Sequence, residues 1–78
     1  MIPFELGTTS VYVEYIALAL KRSGYLTTVT DTYDEAVRNA AIGFQRGSGL
    51  VPDGIVGDRT YGALLPYIEG FRRVVLSS

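Results

Sequence analysis

The side chains best suited to chemistry in this sequence are four aspartates, Asp31, Asp34, Asp53 and Asp58, and three arginines, Arg22, Arg46 and Arg59. A pair of carboxylates is the minimum equipment for glycoside hydrolysis. A guanidinium fork recognises carboxylates through paired, planar hydrogen bonds. Each aspartate, however, stands beside a turn or at a helix start, where capping of exposed amides accounts for it. The chain contains no histidine and no cysteine. Nucleophile–base pairs and metal-bound water therefore lack their usual parts. No catalytic set, metal site or other cofactor is expected, and recognition by the arginines is the better reading.

Three helical patterns position these groups. The first spans residues 10–23, with Ser10 as N-cap and Gly24 as the residue that ends it. Val13, Ile16, Ala17 and Leu20 form one stripe at i, i+3, i+4, i+7, and Lys21 and Arg22 complement the dipole in the last turn. The second pattern spans residues 34–46, with Asp34 at its start and the stripe Val37, Ala40, Ala41 and Phe44. Gly43, inside this helix, costs about 1 kcal/mol relative to alanine and marks close approach of another backbone. The third begins at Asp58 or Arg59 and carries Tyr61, Leu64, Leu65 and Ile68. Pro66 is expected to end or kink it near Leu65, because proline lacks an amide donor and clashes with the preceding turn, leaving a helix over residues 58–65.

Two of these units repeat a pattern. Each stripe ends on glycine plus a large apolar residue, Gly24-Tyr25 and then Gly49-Leu50, and the loop Asp31-Thr32-Tyr33-Asp34 parallels Gly54-Ile55-Val56-Gly57. The fold expected is all-α, a compact three-helix bundle with an internal helix–loop repeat and no strand beyond a residue pair. Phe44 should be among its most buried side chains. Tyr25, Tyr33, Leu50, Ile55 and Val56 are expected to close it from the loops, the two tyrosine hydroxyls reaching solvent. Gln45, beside the core phenylalanine, is assigned to loop carbonyls and amides, and Thr60 to capping of the third helix.

A chain of 78 residues makes one domain, residues 1–78, near the lower size limit for folding unaided. Its apolar content of 47% suffices for a core. A net charge of −1 supplies no electrostatic footprint for nucleic acid. Residues 1–5 do not read as a signal peptide. The longest mostly apolar run, residues 11–20, is about half the ~20 residues that cross a bilayer, so a membrane segment is not expected.

One further pattern lies on the first helix. Val11, Tyr15 and Leu18 point almost opposite to the core stripe, and a helix apolar on both sides is covered on both. Ile2, Phe4 and Leu6, or the segment 71–76, are expected to fold over it. The competing expectation is a docking surface for an adjoining domain or a second copy of the chain.

The segments Gly24-Tyr25, Ala40-Ala41-Ile42-Gly43-Phe44-Gln45, Gly49-Leu50, Asp53-Gly54-Ile55-Val56-Gly57 and Thr60 with Leu64 resemble the peptidoglycan-binding domain type 1 family. The resemblance covers residues 7–68, with 69–78 as a tail or the start of a linker. Ile16-Ala17, Val37, Asp31 and Asp34 depart from the family pattern while keeping size or turn compatibility. The resemblance implies a non-catalytic module that binds the glycan or stem peptide of peptidoglycan and targets an attached hydrolase or envelope protein to the wall. Its setting would be the cell envelope, a secreted protein or a phage lysin. On this reading Arg22, Arg46 and Arg59 are ligand candidates for stem-peptide carboxylates, and Tyr61 for stacking on a sugar. The alternative is a protein–protein docking module within a larger envelope or phage protein.

Overall fold

In the computed structural model, residues 3–77 are described, with side chains described for residues 3–68. Three helices follow one another: α1 (Val11–Arg22), α2 (Glu35–Gly47) and α3 (Asp58–Ser77). The Ser10 hydroxyl accepts from the Tyr12 amide, and Asp34 accepts from the Val37 amide at 3.0 Å, so both expected N-caps are in place. Gly24, at φ 91°, takes the left-handed turn after α1. The amides of Tyr25 and Leu26 then close back on the Leu20 carbonyl at 2.8 and 3.2 Å.

The stripes form the core as the periodicity requires. Val13, Ile16, Ala17 and Leu20 are fully buried, as are Val37 and Ala41, and Phe44 is 4% exposed. α1 is the central element, packed on both α2 and α3. Gly43 does not face a second backbone. A methyl group there would lie 3.1 Å from the Tyr25 ring, so the close neighbour is a side chain arriving from the first loop.

Pro66 does not end the third helix. α3 runs through it to Ser77. The carbonyl that a residue at this position would normally bond is that of Gly62, four residues earlier. Gly62 and Pro66 are both exposed, so water can take the freed carbonyl. Leu64, fully buried, and Ile68, 3% exposed, anchor the helix on both sides of the proline, and tertiary packing outweighs the local penalty.

The N-terminal segment has a role that periodicity does not disclose. Phe4 forms an isolated antiparallel bridge with Val56, and Thr9 with Thr32, so one extended segment clasps both interhelical loops. Phe4 and Val56 exchange amide–carbonyl bonds of 2.9 Å each, while Gly7 donates to the Tyr33 carbonyl and Tyr33 donates to that of Thr8. Phe4 does not cover the outer stripe of α1. It is 2% exposed in the core, 6.2 Å from the rings of both Tyr12 and Tyr61. Leu6 points outward, 51% exposed. On the stripe itself Val11 is exposed, whereas Tyr15 and Leu18 are half-buried, with Tyr15 packed on the core. Ile2 and the side chains of segment 71–76, the other expected covers, lie outside the described residues.

Tyr33 corrects a further expectation. Its side chain is fully buried, and its hydroxyl donates to the Gly54 carbonyl at 2.7 Å instead of reaching solvent. Burial, opposed by Arg38 and reinforced by Asp53, pushes the phenol up to about 12 from its ordinary 10.0. Because the folded state holds the neutral phenol to higher pH than the unfolded chain, the stability it contributes is complete below pH 10. It is lost as pH rises toward 12. Tyr33→Phe should cost about 1 kcal/mol at neutral pH. Its urea midpoint should fall less steeply than the parent's between pH 10 and 12; parallel curves would show that Tyr33 is not the titrating group.

Candidate functional site

The loop between α2 and α3 is organised by a buried amide. Gln45, fully buried near the end of α2, shares the two N–H groups of Nε2 among Asp53 Oδ1 at 3.1 Å, the Ile55 carbonyl at 3.0 Å and Thr60 Oγ1 at 3.1 Å. Its Oε1 accepts from the Gly54 amide at 2.9 Å. An amide group is needed here because one side chain must serve both donors and acceptors. Thr60, expected to cap α3, instead ties the start of that helix to α2. Among the described residues no buried side-chain nitrogen or oxygen is left without a partner.

Gly54 is the pivot of the loop. It sits at φ 77°, and a side chain there would press on Arg38 Cγ at 3.0 Å and Ile42 Cγ1 at 3.3 Å. Only a residue without a Cβ combines this left-handed conformation with such close approach. Asp53 Oδ1 also accepts from the Ile55 amide at 2.9 Å, closing the turn.

Above this scaffold lies an open groove of about 380 Å³. It is lined by Gly49, Leu50, Val51 and Asp53 of the α2–α3 loop together with Ile55, Gly57, Asp58, Arg59 and Thr60. Val51 is 74% exposed and Ile55 38% exposed, so Ile55 lines the groove more than it closes the bundle. The chemistry is mixed: apolar walls, two carboxylates from Asp53 and Asp58, and one guanidinium from Arg59. Such a surface can hold a ligand carrying methyl groups, N–H donors and a carboxylate.

Of the four residues singled out as ligand candidates, Arg59 lines this groove. Arg22 ends α1 and Arg46 lies in the last turn of α2, so the arginines stand on three separate helix ends. Tyr61 is half-buried, packed against the core and 6.2 Å from Phe4. Val51 and Asp58 are groove residues that sequence reasoning does not single out as ligand candidates. The signal for Val51 is an apolar side chain just before Pro52-Asp53-Gly54, in a turn that cannot bury it.

The site combines a buried loop scaffold with an open, chemically mixed groove in a small helical bundle. Among the described residues no group of three or more histidine, cysteine, aspartate or glutamate side chains could hold a metal ion, and no helix is long and apolar enough to cross a membrane. Residues 11–64 match the family described as a putative peptidoglycan binding domain, and the chain belongs to that family. The crystal structure of the Burkholderia AP3 phage endolysin is similar to it, with 33% identity and a TM-score of 0.77 over 82% of this chain and 25% of the endolysin chain. The chain thus spans about a quarter of that endolysin's length. No curated protein sequence matches it.

Proposed function

We propose that this domain binds bacterial cell-wall peptidoglycan without cleaving it, and holds an attached hydrolase or envelope protein on the wall. The observation that carries the reading is the groove between the α2–α3 loop and the start of α3, in a member of a peptidoglycan-binding family. Arg59 suits a stem-peptide carboxylate. Asp53 and Asp58 suit amine and amide N–H groups, and Leu50, Val51 and Ile55 suit the methyl groups of alanine and lactyl units. One such module binds weakly, and its benefit to an attached enzyme is a raised local concentration of substrate. The likeness to a phage endolysin supports a wall-hydrolase setting.

Co-sedimentation with purified cell walls tests the reading. The domain should pellet with the walls, and Arg59→Ala should weaken retention about fivefold, the effect of losing roughly 1 kcal/mol from a solvent-exposed ion pair. Its melting temperature should stay unchanged, and Arg46→Ala, outside the groove, should bind as the parent does. A folded domain left in the supernatant with several wall chemotypes would overturn the proposal.

A further inference from the structure

A second surface on this molecule is shaped for a ligand. α2 carries two glycines one turn apart, Gly43 inside the helix, where glycine is less favourable than alanine, and Gly47 at its last position. Both lie under the Tyr25 side chain. A methyl group at Gly43 would meet Tyr25 Cδ1 at 3.1 Å and Cε1 at 3.5 Å, and one at Gly47 would meet the Tyr25 hydroxyl at 2.5 Å. The tyrosine is therefore laid along the helix on a floor cleared of side chains. It is further held edge-to-face by Phe44, with ring centres 5.9 Å apart and planes at 89°. On the α3 side of Phe44, Tyr67 repeats the arrangement, at 6.3 Å and 82°. Burial is not what this arrangement achieves, since Tyr25 remains 42% exposed and Tyr67 38% exposed. Two fixed, half-exposed phenols thus flank one buried ring, no further apart than the two ring spacings together.

We propose that Tyr25 and Tyr67 form an aromatic platform for the glycan strand of peptidoglycan, next to the α2–α3 groove that receives the stem peptide. The apolar C–H faces of a pyranose stack on aromatic rings, while the phenol hydroxyls bond to sugar hydroxyls and acetamido groups; tyrosine offers both at low cost in conformational entropy. Pre-positioning by the glycine floor and Phe44 lowers that cost further. The chain runs directly from Gly47, beneath Tyr25, through Ser48 to Gly49 and Leu50 at the edge of the groove. One wall fragment can reach both, sugars on the platform and peptide in the groove. This assignment rests on the wall-binding reading and adds the part of the polymer that each surface takes.

The test is an NMR titration of the whole chain with a peptide-free probe, a β-1,4-linked N-acetylglucosamine tetrasaccharide, alongside co-sedimentation with purified walls. The tetrasaccharide should shift the ring resonances of Tyr25 and Tyr67 and leave those of Tyr61 unchanged. Tyr67→Ala should weaken wall retention about fivefold. Gly47→Ala, which displaces the Tyr25 ring without removing core surface, should weaken retention by a similar factor while its helical circular dichroism matches the parent's. If walls retain the parent but the tetrasaccharide moves neither tyrosine, the platform is wrong and the wall-binding reading stands. The platform is equally wrong if folded Gly47→Ala binds walls as the parent does. If the parent is not retained by walls and the tetrasaccharide shifts nothing, both readings fall together.

Discussion

Gln45→Leu should leave this domain largely unfolded at 25 °C. The leucine is close in size, so the change isolates hydrogen bonding from volume. It strands the Gly54 amide, the Ile55 carbonyl and the Thr60 hydroxyl, all of which meet the Gln45 amide within 3.1 Å. Each buried orphan costs about 1–3 kcal/mol, and a core of this size rarely supplies more than about 3–5 kcal/mol in total. Gln45→Glu sharpens the test. An ionised carboxylate keeps the acceptor for Gly54 but has no donor for Ile55, and it faces Asp53. Burial and that neighbour favour the protonated acid in the folded state, so the variant's stability is complete below the ordinary glutamate range and is lost as pH rises above it. Helicity of Gln45→Glu should therefore recover on acidification, and thermal melts followed by circular dichroism read both effects. A Gln45→Leu variant that melts within about 1 kcal/mol of the parent would show that the network is not what supports the loop.

Phe44→Ala should cost about 3–5 kcal/mol, the range for truncating a buried phenylalanine. The ring is 4% exposed and stands edge-to-face with both Tyr25 and Tyr67. Its loss opens a cavity between α2 and α3 and frees two aromatic neighbours at once. Phe44→Leu should cost less, about 1–1.5 kcal/mol, because most of the volume is kept. Equal melting temperatures for the two variants would mean that the end of the bundle rearranges to fill the gap.

These two side chains also show how far the sequence is legible. Phe44 is readable because it completes an i, i+7 stripe from Val37, and Gln45 because a polar residue beside such a stripe must find partners indoors. The caps are readable for the same local reason: Ser10 and Asp34 precede apolar periodicity and supply the oxygen that a helix start lacks. What is not legible depends on the third dimension. Pro66 argues for a stop, yet it sits on the exposed face opposite Leu64 and Ile68, where its penalty is small. Tyr33 reads as a surface residue because a phenol has a polar tip, but the carbonyl that receives that tip belongs to Gly54, in the other loop. Residues 3–9 are too short to show a strand pattern, and their partners lie in loops, so nothing local announces the clasp. The groove is half legible: Arg59 stands out for its chemistry, whereas Arg22 and Arg46 share that chemistry and only the packing separates them from it.

The pairing of Phe4 with Val56 also fixes an order of events during synthesis. Phe4 is made before α1 and α2, while its partner Val56 comes from the loop just ahead of α3 and is made after both. At about 5–20 residues per second, Phe4 waits roughly 3–10 seconds before Val56 is even polymerised. Until then Phe4, whose ring sits 6.2 Å from those of Tyr12 of α1 and Tyr61 of α3, lacks its backbone partner. Final closure therefore waits for Val56, and a chain truncated before Val56 should remain a protease-sensitive pair of helices.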